Sequence, residues 1–132
     1  METLEISRIL KSFRHIAVVG LSPKENRPSN QVARYLIEAG YHVIPVNPGQ
    51  EEILGRTCYP DLESIPGVVE VVDIFRRAED VFPIVRSAIA IGARVVWMQL
   101  GIVNDEAAAE AKKGGLSVIM DRCIKVDHQN LL

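Results

Sequence analysis

The residues best equipped for chemistry fall in one stretch, His15 to Ser29, reading His-Ile-Ala-Val-Val-Gly-Leu-Ser-Pro-Lys-Glu-Asn-Arg-Pro-Ser. An apolar run stops at Gly20, a polar loop carries Ser22, Lys24 and Arg27, and a helical pattern restarts after Ser29. A glycine at a strand end lets the backbone turn sharply and approach a ligand. The start of the next helix adds unpaired N–H groups and the positive end of its dipole. The chemistry this suggests is anion binding.

The loop departs from the dinucleotide pattern G-x-G-x-x-G, because Ser22 and Glu25 stand where its second and third glycines would be. The next apolar segment ends Val46-Asn47-Pro48, without the Asp or Glu expected to hold an NAD ribose. Asn47 suits a ribose or adenine edge, and Asn-Pro is equally an ordinary turn starter. Arg76 and Arg77 close a third apolar run. A guanidinium there can pair with phosphate, and a solvated helix entry is the competing reading for one of the two. Gln99 and Gly101 end a fourth run and read as pocket residues or as a turn with a polar shoulder. Trp97 reads as core packing, with a pocket wall as the competing reading.

Catalytic candidates are few. Cys123 and His128 lie five residues apart, and a buried inert thiol is the commoner state of such a cysteine. A redox or acyl-transfer role for Cys123 would require an exposed thiol of lowered pKa. His15 and His42 begin strands at the end away from the expected crevice. Asp73 and Asp121 form no evident acid and base pair, and no His or Cys spacing suits a metal.

The elements that must position these residues alternate. Ile6, Ile9, Leu10 and Phe13 mark an amphipathic helix within residues 3–13. The unbroken apolar run at 16–19 reads as a parallel strand buried on both faces, and the apolar-rich segments 41–46, 68–75, 94–99 and 116–120 read as the further strands of the same sheet. Between them, helices are expected after Ser29 as cap, after Asp80 as cap with Pro83 in the first turn, and after Asn104 as cap. Pro45 lacks an N–H, so pairing should loosen near that end of the second strand. Residues 47–67 hold three of the seven prolines and three of the nine glycines, so they read mostly as loop, with room for short elements around Thr57 and Leu62. The pattern assigns no element to 121–132.

This alternation predicts a single α/β domain over 1–132, a Rossmann-like doubly wound five-stranded parallel sheet with helices on both faces. The expected strand order is 3-2-1-4-5, with a crevice at the carboxyl ends of strands one and four. A net charge of −2 argues against a broad nucleic-acid footprint. No run reaches membrane-helix length, and residues 1–14 lack a signal-peptide core, which together predict a cytoplasmic protein with two free thiols, Cys58 and Cys123.

Six blocks in order carry a more specific resemblance: Val18-Val19-Gly20-Leu21-Ser22, Arg27-Pro28-Ser29, Val46-Asn47-Pro48, Phe75-Arg76, Trp97-Met98-Gln99-Leu100-Gly101-Ile102 and Asp121-Arg122-Cys123. Over His15 to His128 the chain resembles the small single-domain CoA-binding proteins, which are similar in fold to the CoA-binding domain of the succinyl-CoA synthetase alpha subunit. The resemblance implies coenzyme A as ligand, with the loop from Gly20 through Ser22 and Lys24 to Arg27 and Pro28 on its phosphates. Asn47 and Pro48 would lie near the adenosine, Phe75 and Arg76 along the nucleotide, and Gln99 and Gly101 in the crevice. The family's usual Gly-Ala-Ser is Gly20-Leu21-Ser22 here. The ligase's phosphorylated histidine sits in a second domain that 132 residues do not accommodate. The expectation is a small-molecule site for CoA or acyl-CoA without its own catalytic domain, open to service with a protein partner. An NAD(P)-binding oxidoreductase-like domain is the alternative.

Overall fold

The computed structural model describes residues 2–132. Five parallel strands form the central sheet: β1 (His15–Val19), β2 (His42–Val46), β5 (Val71–Ile74), β6 (Val95–Met98) and β7 (Ser117–Ile119). A two-stranded hairpin, β3 (Glu52–Ile53) and β4 (Arg56–Thr57), occupies part of the long loop. It turns through Leu54 and Gly55, both at positive φ, as the twist of a two-residue hairpin loop requires.

The apolar runs become strands because helices cover both faces. Helices α1 (Thr3–Ser12), α2 (Pro28–Glu38) and α5 (Ile124–Leu131) lie on one side, where Ile6, Leu10, Leu36 and Ile124 pack with Ile16, Val18, Val43 and Trp97. On the other side, α3 (Val81–Ala90) and α4 (Asp105–Lys113) set Val85, Ala88, Ala107 and Ala111 against Ala17, Ile44, Val72 and Val96. The alternation along each strand sends successive side chains to opposite layers. This is the Rossmann-like α/β architecture the sequence predicts. Among the described residues no helix is long and apolar enough to cross a membrane.

The strand order corrects one expectation. The sheet runs β2-β1-β5-β6-β7, so counted along the chain the five strands stand 2-1-3-4-5, not 3-2-1-4-5. The third strand pairs with the first, Val19 opposite Ile74, and leaves the second at the edge. Pro45 supplies the reason. Its carbonyl faces outward and accepts from the Tyr59 N–H at 3.0 Å, so its missing N–H falls on the side where a third strand would have paired. The reversal of strand order, and with it the crevice, therefore lies between β1 and β5 rather than beside β6.

Other boundaries shift modestly. The third strand begins at Val71, not Val68, and Asn104 caps α4 by accepting from the Ala107 N–H at 2.9 Å, as expected. Asp80 occupies the cap position of α3, but its carboxylate lies 3.2 Å from Arg77 Nε rather than on the helix. Residues 124–131, unassigned from the sequence, form α5. That helix is fastened by Arg122, which donates twice to Asp127 at 2.7 Å, and by Trp97 Nε1, which donates to the Arg122 carbonyl at 2.7 Å.

Asp127 is buried while Arg122 is half-exposed, so cutting the pair costs less than breaking a fully desolvated one. Asp127→Ala is expected to lower unfolding free energy by about 1–3 kcal/mol in urea titration. The single tryptophan, Trp97, should report the loosened helix by red-shifted emission. An unshifted spectrum and midpoint would show that α5 docks without this pair.

Candidate functional site

Gly20 sits where three strands end. Its N–H donates to the Val46 carbonyl of β2 at 2.8 Å, and the Phe75 N–H of the β5 exit donates to Val19 of β1 at 2.8 Å. At φ +87° a side chain would be strained, and a Cβ would collide with the Phe75 carbonyl and lie 3.3 Å from Arg76 Nε. Glycine here lets the first loop and the β5 exit touch.

The loop after Gly20 is held by its own polar groups. The Ser22 N–H donates to Ser29 Oγ at 3.0 Å, the Lys24 N–H to Ser22 Oγ at 3.1 Å, and Asn30 Nδ2 to the Ser22 carbonyl at 2.8 Å. Arg34 braces it from behind, donating to Asn30 Oδ1 at 2.9 Å and to the Glu25 carbonyl at 2.8 Å. Ser29 therefore is not the helix cap the sequence suggested. Arg27 takes that position, Pro28 begins α2, and the buried Ser29 hydroxyl points back into the loop.

A cavity of about 690 Å³ opens over this loop, lined by Gly20, Ser22, Lys24, Arg27, Pro28 and Ser29 on one side and by Phe75, Arg76, Arg77, Asp80 and Ile102 on the other. Seven of the expected site residues thus line this one cavity: Gly20, Ser22, Lys24, Arg27, Pro28, Phe75 and Arg76. A second cavity of about 240 Å³ adjoins through Arg76 and is lined by Pro48, Pro60, Leu62, Pro83 and Ile84, among others. The chain neighbours of Ile102 include two exposed apolar side chains, Leu100 at 71% and Val103 at 46%.

Three expected residues take other positions. Asn47 ties the loops together, donating from Nδ2 to the Leu21 carbonyl at 3.0 Å and accepting from the Gly49 N–H at 3.0 Å. Gln99 is 3% exposed and turns inward, donating to Asp73 Oδ1 at 2.5 Å. Gly101 is exposed one strand away from the crevice, its N–H on Asp121 Oδ1 at 2.6 Å. Conversely, Ser29, Asp80 and Ile102 line the cavity without having been singled out for it, and Arg77, weighed beside Arg76 as a phosphate partner, lines it as well. The Arg76-Arg77 pair and the Trp97-to-Ile102 block were the available signals.

The remaining reactive groups are engaged elsewhere. Cys58 is buried, and burial pushes its thiol up, against the opposing hydrogen bond to Asn47. His128 lies 2.6 Å from the Tyr35 hydroxyl, and burial together with Arg14 holds its imidazole below the usual range. His15 packs near His42 and lies 3.0 Å from Glu70 at the opposite end of the sheet. Cys123 is half-buried at the start of α5. Among the described residues no His, Cys, Asp and Glu cluster gathers as a metal would need.

A family model described as a CoA binding domain matches residues 14–129. The chain belongs to that family. It is 43% identical over 124 residues to the YneT protein of Bacillus subtilis, covering 94% of this chain and 92% of that one. A solved structure of a hypothetical protein from Pyrococcus horikoshii is 44% identical, with a TM-score of 0.97 over 99% of this chain and 92% of that one. A dinucleotide-forming acetyl-coenzyme A synthetase of Ca. Korarchaeum cryptofilum shares the fold, at TM-score 0.74 and 24% identity; 86% of this chain covers 27% of that one.

Beneath the site, Asp73 is wholly buried, with Oδ2 lacking any hydrogen-bond partner. Burial pushes its carboxyl up from 3.8 to about 7, the Gln99 hydrogen bond working the other way. The folded chain keeps this proton where the unfolded chain releases it. The associated stability is complete below about pH 4 and is lost as pH rises through about 7. Asp73→Asn should match the parent at pH 4 and exceed it by about 2–4 kcal/mol at pH 8 in urea titrations. A variant less stable at pH 8 would contradict the buried-carboxyl account.

Proposed function

We propose that this chain binds coenzyme A or an acyl-CoA in the cavity over the Gly20 loop and works by binding rather than by chemistry of its own. The observation that carries the reading is the convergence of Lys24, Arg27 and Arg76 on one cavity, within a chain belonging to the CoA binding domain family. Among the described residues none of these three cations has a carboxylate within ion-pairing distance. Their charge is available to phosphates. Ile102 on the cavity wall suits the pantetheine arm, and the Pro- and Leu-lined cavity past Arg76 suits a base.

Nothing in the cavity pairs a nucleophile with a base, which favours binding over catalysis. The NAD(P) reading finds little support. Asn47, at the end of β2, already spends its amide on Leu21 and Gly49, and no carboxylate replaces it toward a ribose.

Saturating CoA or acetyl-CoA should raise the melting temperature, because a ligand of the native state stabilises it by mass action, while NAD should not. Absence of any shift with CoA would overturn the proposal. Arg27 contributes only its backbone to α2, so Arg27→Ala should leave the unliganded melting temperature in place and weaken CoA roughly tenfold in calorimetric titration.

A further inference from the structure

Four Lys or Arg residues of the described chain are half-buried: Arg56, Arg76, Arg122 and Lys125. Three have partners. Arg56 donates to the Leu54 carbonyl at 3.1 Å, Arg122 grips Asp127, and the Lys125 ammonium lies 5.7 Å from the centre of the Tyr35 ring. Among the described residues Arg76 has no side-chain hydrogen bond, ion pair or aromatic ring as partner, although its neighbour Arg77 is satisfied by Glu79 and Asp80. A half-buried guanidinium without a partner carries a desolvation cost that a bound anion removes.

Its location is distinct from that of the other free cations. Lys24 and Arg27 belong to the loop between β1 and α2, whereas Arg76 leaves β5, lies against Gly20, and is the residue common to both cavities. A ligand with one anionic group on the loop and a second near the partition matches this layout. Within the loop the N–H groups of Gly20, Ser22, Lys24 and Arg27 already donate to Val46, Ser29, Ser22 and Lys24, and Pro23 and Pro28 carry none. The positive charge of the loop is that of its two exposed cations. Lys24 and Arg27 balance the two charges of a diphosphate, which leaves Arg76 over.

Resting on the CoA reading, we infer that Arg76 is a specificity determinant for a phosphomonoester in addition to the diphosphate, so that the site selects CoA over 3′-dephospho-CoA. A phosphomonoester carries about −1.5 to −2 charges at neutral pH and accepts the planar two-pronged donation of a guanidinium.

Calorimetric titration of the parent chain, Arg76→Gln and Arg76→Lys with CoA and with 3′-dephospho-CoA tests this. The parent should prefer CoA roughly tenfold or more. Arg76→Gln should bind CoA no better than the parent binds 3′-dephospho-CoA, with 3′-dephospho-CoA affinity unchanged, and Arg76→Lys should restore part of the preference. Equal affinity of the parent for both ligands overturns the inference and leaves the CoA reading standing. Equal weakening of both ligands by Arg76→Gln places Arg76 on the diphosphate and also overturns it. Binding of neither ligand to the parent overturns the CoA reading itself.

Discussion

The close approach of Gly20 to the Phe75 carbonyl is the constraint from which the site follows. Three strand exits meet at one backbone position because nothing occupies the place of a side chain there. The Gly20 N–H reaches Val46 of β2, and the Phe75 N–H reaches Val19 of β1, so the exits of β1, β2 and β5 are locked in mutual register. Asn47 extends the lock to Leu21, and Ser29, Asn30 and Arg34 extend it along the loop. Buried polar groups with all their partners rigidify a structure, and here they fix the floor of a cavity before any ligand arrives.

Much of this was legible in the residues, but not the neighbours. Apolar runs with no polar alternation mark strands buried on both faces, and they appeared where the sheet now stands. Periodicity says nothing about which strand lies beside which. The decisive sign is Pro45, whose missing N–H leaves the outer side of β2 to a single bridge with Tyr59 in place of a full strand. Moving the strand-order reversal to β1 and β5 explains why Phe75 and Arg76 share the cavity with the Gly20 loop. It also explains why Gln99 and Gly101, one strand farther on, do not line it.

Side-chain direction was the second thing hidden. Ser29 has the composition of a helix cap, yet its hydroxyl serves the loop behind it, because Arg27 and Pro28 already begin the helix. Asp73 stood out as a carboxyl inside an apolar strand. Its partner Gln99 lies 26 residues away, beyond the reach of any local pattern. The two were read separately, one as an unpaired acid and the other as a pocket residue, and the fold joins them beneath the sheet's end.

A chain of net charge −2 binds an anion only through local arrangement, and the cations around the cavity are not equivalent. Lys24 and Arg27 are exposed on the loop, so each loses considerable rotamer freedom when it settles on a phosphate, and salt screens it. Arg76 is half-buried and lies along Gly20, partly desolvated and partly ordered already. The free energy of its contact is reduced less by ordering and by screening. On the CoA reading, the exposed cations would steer an anionic ligand to the cavity, while the partly buried one would discriminate among ligands once they are there. Such a division of labour draws on the floor that Gly20 makes, where the first loop and the β5 exit that carries Arg76 meet without an intervening side chain.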